Sequence, residues 1–331
     1  MKRIALVLVC VSSIAALASV VYSAPALVSK KNEFALPSIS GRPYTPRISG
    51  DWVVTVRNVE KKADSVLLIN VVTKDLYNIF NIANGASISP SIDGNLVAWP
   101  GKADQVDSLQ GTLGRRGQLA QSMILFDLVT GGYTVPALKT NSAFWVSACG
   151  NRVAYELGSR IYLYETTTGA QRMISDDNPC YSVPDTCGDF AVWSSKHTGT
   201  EKRQVCSYQY SRGVQTEITS DDSVDRIAPK TDGRYIVWWT KSGVDVYDTT
   251  NGATFAIPRA FFPSVDRGIV VFQRGAEPGM NPVYGMNIAT RQEFRISSGT
   301  ATVGPDIDNG RVIWCSGETI YCAELSTKPG K

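Results

Sequence analysis

His197 is the only histidine in the 331 residues, and so the only side chain whose ordinary pKa suits general acid–base work near neutral pH. It lies in SSKHTGTEKR, with Ser194 and Ser195 just before it and Lys202 and Arg203 just after. A Ser–His–acid triad is defined by geometry, and closeness in sequence supplies no orienting acid. A solvated loop histidine explains the same residues. Arg115 and Arg116 sit together in another long polar link, where two cations could take an anion or an acidic partner. Solvated surface charge is the simpler account of them and of Lys202 and Arg203. The pairs Asp176–Asp177 and Asp221–Asp222, the latter with Asp225 nearby, offer oxygen ligands for calcium. They lack the spacing of a recognised calcium loop, and turn chemistry places Asp at such points equally well. Asp93, Asp232 and Asp308, next to turn glycines, read as turn formers. A glycoside hydrolase needs only two carboxylates at a set separation, and the chain has many, with no pair distinguished. No G-x-S-x-G nucleophile elbow occurs. These residues point to no catalytic set and no cofactor.

The chain has 7 cysteines, and only Cys10 falls in the apolar N-terminal stretch. The others are Cys149, Cys180, Cys187, Cys206, Cys315 and Cys322, an even set that allows 15 pairings. No close cysteine pair has the histidine or second pair that a zinc site requires. In WCSGETIYC, two apolar runs flank a tight turn, so Cys315 and Cys322 are the candidate disulfide, with buried free thiols as the alternative.

The elements that must position these groups come from a phrase that returns seven times. It reads SGDWVV at Ser49–Val54, DGNLVAW at Asp93–Trp99, CGNRVAY at Cys149–Tyr155 and CGDFAVW at Cys187–Trp193. It continues as DGRYIVW at Asp232–Trp238, DRGIVVF at Asp266–Phe272 and NGRVIWC at Asn309–Cys315. A Tyr-rich run such as IYLYE or VDVYD, a Thr-Gly-like turn and a last short run follow most copies. The turn glycines lie 35 to 56 residues apart, the spacing of propeller blades. β-branched and aromatic residues fill the runs, and Gly, Asn, Asp and Ser punctuate them. The runs are apolar on both pleat faces, as sheets covered on both sides require. The expected fold is therefore all-β, a seven-bladed β-propeller of four-stranded antiparallel blades. Its Trp and Tyr residues belong to the core first. The last copy ends at ELSTKPGK without a closing strand, and Glu33–Pro37 (EFALP) matches QEFRI and TFAIP elsewhere. The N-terminal strand is thus expected to complete the last blade and remove the exposed edge.

Lys2 and Arg3, the apolar run Ile4–Val21 and the small residues to Ser23 have the pattern of a signal peptide. Retention as an anchor is the alternative, since the run nearly spans a bilayer. The expected organisation is a signal peptide at 1–23, a linker at 24–32 and one propeller at 33–331, exported to the periplasm, cell surface or medium. Loss of Lys2 and Arg3 lowers the formal charge from +3 to +1, with no basic stripe for nucleic acid. No later apolar run reaches spanning length, and a monomer is expected.

The phrases resemble TolB-like β-propeller repeats of exported and cell-surface proteins. ISGDWVV at Ile48–Val54 and YDTTNG at Tyr247–Gly252 carry the likeness, which covers about Phe34 to Ser326. The S-P-D-G phrase of that family appears only as SIDG at Ser91–Gly94, KTDG at Lys230–Gly233 and DIDNG at Asp306–Gly310. The resemblance implies a propeller and leaves activity open, because propellers host unrelated functions.

The tight Gly and Thr-Gly turns lie on one face of such a ring. The links on the other face vary, the longest being Pro100–Ser122, Ser194–Gln204 and Gln273–Pro282. The variable face is therefore the expected interaction surface, with Arg115, Arg116, His197, Lys202 and Arg203 as its candidate binding residues. The expected function is that of an exported, non-enzymatic propeller binding a protein or glycan there. The alternative is a secreted carboxylate-based glycoside hydrolase at the channel mouth.

Overall fold

The computed structural model describes residues 27–59, 62–82, 89–102, 121–136, 143–176, 178–179, 184–196 and 201–328. Among these residues twenty-eight strands, numbered β1–β28, form seven four-stranded antiparallel sheets. The innermost strand of each is β2 (Arg42–Ser49), β6 (Ser91–Asp93), β10 (Ala143–Cys149), β14 (Asp185–Cys187), β18 (Ile227–Thr231), β22 (Ala260–Asp266) or β26 (Val303–Asp308). The fold is the seven-bladed propeller that the repeats predict. Among the described residues no helix is long and apolar enough to cross a membrane.

Each repeat phrase makes the hairpin between an inner strand and its neighbour. The turn requires a left-handed residue, and glycine supplies it without steric cost, with φ of 53° at Gly94 and 59° at Gly150. The next strand then carries apolar side chains to both faces. In β15 (Phe190–Ser195), five of six residues are buried, so neither face can meet water.

Seven buried clusters occupy the gaps between neighbouring sheets, and each draws on two blades. Trp99, Trp193, Trp238 and Trp314 occupy equivalent places, and each turns toward the preceding blade. They are core residues, as their apolar setting predicts. Trp99 packs on Val54 and Phe80 of the first blade, at 5.3 Å between the Trp99 and Phe80 rings. Burying such a side chain contributes about 1.5–3 kcal/mol. The seventh gap joins Ile313, Cys315 and Cys322 to Val53 and Ile69, so the last blade packs on the first.

Closure is covalently open and hydrogen-bonded shut. The last sheet has the order β1-β28-β27-β26, with β1 (Leu27–Ala35) antiparallel to β28 (Thr319–Lys328). The register pairs Leu27 with Lys328 and Ala35 with Tyr321. The closing strand is longer than Glu33–Pro37 and begins inside the expected linker, because β28 runs for ten residues and offers partners that far. Leu36 adds one more bond, donating its N–H to Ile320 O at 2.8 Å. Glu33 also reaches the sixth blade, accepting from Ser298 N at 3.0 Å and Ser298 Oγ at 2.8 Å.

Removing Leu27–Ala35 should expose the edge of β28 and unseat Glu33 from Ser298. Thermal melts followed by circular dichroism should show a lower, broader transition than the full chain. An unchanged melt would rule out this closure.

Candidate functional site

The inner strands surround a central channel whose cavity is about 110 Å³. Alternate residues of each inner strand face inward, so the lining repeats in two tiers. In the tier at the hairpin turns, a side chain from one blade accepts a backbone N–H from the next. Gly94 N donates to Ser49 Oγ at 2.9 Å, Gly150 N to Asp93 Oδ2 at 2.6 Å, and Gly268 N to Asp232 Oδ2 at 3.0 Å. Asn309 N donates to Asp266 Oδ2 at 2.7 Å, and Gly50 N closes the circuit on Asp308 Oδ2 at 2.6 Å. The deeper tier repeats the device. Ala148 N donates to Ser91 Oγ at 2.9 Å, Thr231 N to Asp185 Oδ2 at 2.9 Å, and Ile48 N to Asp306 Oδ2 at 3.0 Å.

Reading Asp93, Asp232 and Asp308 as turn formers captures only part of this. Asp232 does fix its own turn, accepting from Arg234 N at 3.0 Å and Tyr235 N at 2.7 Å through Oδ1. Its other oxygen, and the carboxylates of Asp93 and Asp308, hold the neighbouring blade. The sequence signal was present in the Asp-(x)-Gly phrase, but nothing in it names a partner 36 to 258 residues away on the next blade.

Six aspartates line the channel against two cations, Arg47 and Lys230. Arg47 pairs with Asp306 at 3.3 Å and Lys230 with Asp185 at 3.0 Å. Burial lowers the Lys230 pKa. Burial also pushes Asp266 up to about 6, with Asp308 and Asp232 adding repulsion against the N–H of Asn309. The Asp308 carboxyl is raised for the same first reason. Every one of the six accepts hydrogen bonds that join blades, so the channel acids are structural.

The opposite mouth is built differently. Here the inner strands begin, and five of them break register at the same point: Tyr44/Arg47, Ala143/Val146, Ile227/Lys230, Phe261/Ser264 and Val303/Asp306. Three of these bulges hold a residue other than glycine in the left-handed region, Thr45 at φ 46°, Ala228 at 49° and Phe262 at 53°. Such a conformation costs roughly 1–3 kcal/mol for a bulky residue. Phe262 is 37 % exposed, and its ring lies 4.9 Å from that of Trp239. A Cβ at Gly304 would come within 2.6 Å of Phe262 Cβ, so glycine there makes room for it. Tyr44 is exposed at the corresponding bulge of the first blade. Sequence reasoning missed this rim, for which the double Phe of AFFPSVD was the available sign.

Arg203 lies on the variable face, bound to Asp225 through Nε at 3.0 Å and through its backbone N at 2.9 Å. The hydrogen bond from Arg203 holds the Asp225 carboxyl low. Asp222 accepts from Glu201 N and Lys202 N, at 3.2 and 2.8 Å. Asp221 accepts from Ser223 and from the buried Arg226, whose guanidinium also reaches Gln204 Oε1 at 2.9 Å. Asp176 accepts from Gln215 Nε2 at 2.9 Å and Asn178 N at 3.0 Å. These oxygens face N–H donors. Among the described residues no group of three or more His, Cys, Asp or Glu could hold a metal ion. Arg115, Arg116, His197 and Asp177 lie outside the described residues. Cys315 and Cys322 are free, buried thiols in one apolar cluster. The hairpin register sets Cys315 opposite Ile320 and Cys322 opposite Ile313, so the two are not cross-strand partners.

No family model matches the chain, and no curated protein matches it. Solved structures share its fold. An oligogalacturonate lyase from Vibrio parahaemolyticus is 12 % identical with a TM-score of 0.58, over 91 % of this chain and 98 % of that one. The β-propeller domain of the trilobed protease from Pyrococcus furiosus is 14 % identical at 0.59, over 88 % and 96 %. That domain has an open velcro topology, whereas here β1 and β28 are paired. An acylaminoacyl peptidase from Pyrococcus horikoshii is 15 % identical at 0.60 over 89 % of this chain, which spans about half (52 %) of that protein. At such identities the likeness shows the β-propeller fold alone, and the TolB-like resemblance rests on the repeat phrases.

Two measurements test these bonds between blades. Asp308→Ala should cost about 1–2 kcal/mol in denaturant unfolding by leaving Gly50 N–H unpaired, with a smaller loss for Asp308→Asn. Asp266 binds its proton more readily in the fold than in the unfolded chain, where its pKa is 3.8. Its contribution to stability is therefore full below 3.8 and is lost as pH rises through about 6. Asp266→Asn should abolish that part of the pH dependence of Tm and gain on the wild type toward pH 7. Parallel curves for the two proteins would refute the assignment.

Proposed function

We propose that this chain is an exported, non-enzymatic propeller that binds a protein or glycan through the variable face, at the rim formed by Phe262, Trp239 and Tyr44. The observation that carries the reading is Phe262, a strained and partly exposed aromatic held against Trp239 at the start of an inner strand. Aromatic rings stack on the apolar faces of sugars and anchor protein interfaces, so either ligand suits this rim. Retaining such a residue in left-handed backbone is consistent with use of its ring. Export rests on the Lys2–Ser23 pattern, and the acid excess in the channel gives no reason to expect nucleic acid.

The channel argues in the same direction. A carboxylate-based hydrolase needs an acid and a base free to meet substrate, and the six channel aspartates already bind neighbouring blades. Among the channel acids, Asp266, with its raised pKa, best favours the hydrolase alternative, yet it belongs to the tier at the constant turns.

A glycan array, with pull-downs of protein partners alongside, should find a ligand that is bound and left intact on product analysis. Phe262→Ala and Tyr44→Ala should each weaken that binding about tenfold or more. Val129→Glu, in a turn of the constant face and 74 % exposed, should leave it unchanged. Turnover of a bound glycan would favour the hydrolase, and sensitivity only to Val129→Glu would move the site to the other face.

A further inference from the structure

The tier at the hairpin turns has one irregular stretch. Five of its seven inward residues are Ser49, Asp93, Asp232, Asp266 and Asp308, each accepting an N–H of the next blade. The other two are Cys149 and Cys187, and they occupy consecutive blades. Each ends its inner strand and precedes a left-handed glycine, Gly150 or Gly188.

Strands β10 and β14 lie side by side in matched register. Two residues deeper, Ser147 Oγ donates to Asp185 Oδ1 at 3.1 Å, and Thr186 N donates to Ser147 Oγ at 3.3 Å. The same register brings the two cysteines together at the turns. Cys149 stands in the slot that Asp93 fills one blade earlier, and the neighbouring Cys187 side chain and Gly188 N–H act to lower its pKa. Both thiols are free, neither is fully buried, and both line the channel cavity. Cys206, Cys315 and Cys322 are buried.

We propose that Cys149 and Cys187 are a cross-blade dithiol site that reacts with small-molecule disulfides and closes to an intramolecular disulfide. The neighbouring Cys187 side chain and Gly188 N–H favour the Cys149 thiolate, and its pKa is lowered, while that of Cys187 is raised. Cys149 is thus the attacking sulfur and Cys187 the resolving one. The Cys149 thiolate attacks one sulfur of R–S–S–R, forms a Cys149–S–S–R mixed disulfide and expels RS⁻. Cys187 then loses its proton and attacks Cys149 Sγ, expelling the second RS⁻. The two protons released by the protein thiols end on the two RS⁻ groups. The protein loses two electrons and the reagent disulfide gains them. The product ties the third blade to the fourth covalently, at the height where Asp93, Asp232, Asp266 and Asp308 join their neighbours by hydrogen bonds, and closes a loop of about 38 residues that restricts the unfolded chain.

The test uses the full chain incubated with oxidised glutathione, then alkylated and mapped by mass spectrometry. The expected result is a linked peptide pair joining Cys149 to Cys187 and a Tm raised by about 5–10 °C, reversed by dithiothreitol. Cys187→Ser should trap glutathione on Cys149, and Cys149→Ser should give neither the linked pair nor the Tm rise. Serine fills this slot at Ser49, so both variants should fold, as their melts in reductant will show. Continued alkylation of Cys149 and Cys187 after oxidation would overturn the proposal. So would linkage of either to another cysteine, or a linked pair with no reversible change in Tm.

Discussion

Burial of both faces of every blade is the constraint on which the rest of this molecule depends. The strand after each turn carries Val, Ile or Trp on both sides of its pleat, and a single sheet would leave one of those sides in water. Stacking around an axis removes the problem only if the ring closes. The seventh apolar cluster, joining Ile313 and Cys322 to Val53 and Ile69, is therefore as necessary as the other six. The β1–β28 pairing makes it permanent by satisfying the backbone of an otherwise open edge.

The channel follows from that ring. Inner strands converge where there is little room for large side chains, and short acceptors there reach the backbone of the next blade. Aspartate and serine suit the task, since each carries an acceptor oxygen on a side chain short enough to meet a neighbouring N–H. The result is an excess of carboxylates around a narrow cavity, with repulsion relieved by amide donors and by Arg47 and Lys230. Such a lining resembles an acidic active site in composition. In bonding it is a set of joints between blades.

Because the axis is committed to holding the blades, freedom to vary lies where the constant turns are absent. There the inner strands bulge, three residues take up strained backbone, and aromatic side chains reach the rim. The buried Arg226 braces the link after the fourth blade by joining Asp221 to Gln204. Structures with the same fold include a lyase and peptidases, which shows how little the scaffold restricts what its surface does.

The sequence by itself determined the blade count, the strand content and the N-terminal closure. Each of these is written in local periodicity and in copies that can be compared with one another. It also located the core, because Trp99, Trp193, Trp238 and Trp314 recur at one place in the phrase. The partners of Asp93, Asp266 and Asp308 were not legible, since each bond crosses to another blade and depends on the height at which two strands are set. The same holds for Cys149 and Cys187, 38 residues apart in the chain and adjacent only once the ring is formed. The offset of Cys315 from Cys322 came from hairpin register, which a short turn motif leaves open. Phe262 was hidden for a further reason. A bulge is a departure from the strand pattern, and only the closed ring decides which side of the molecule that departure presents to solvent.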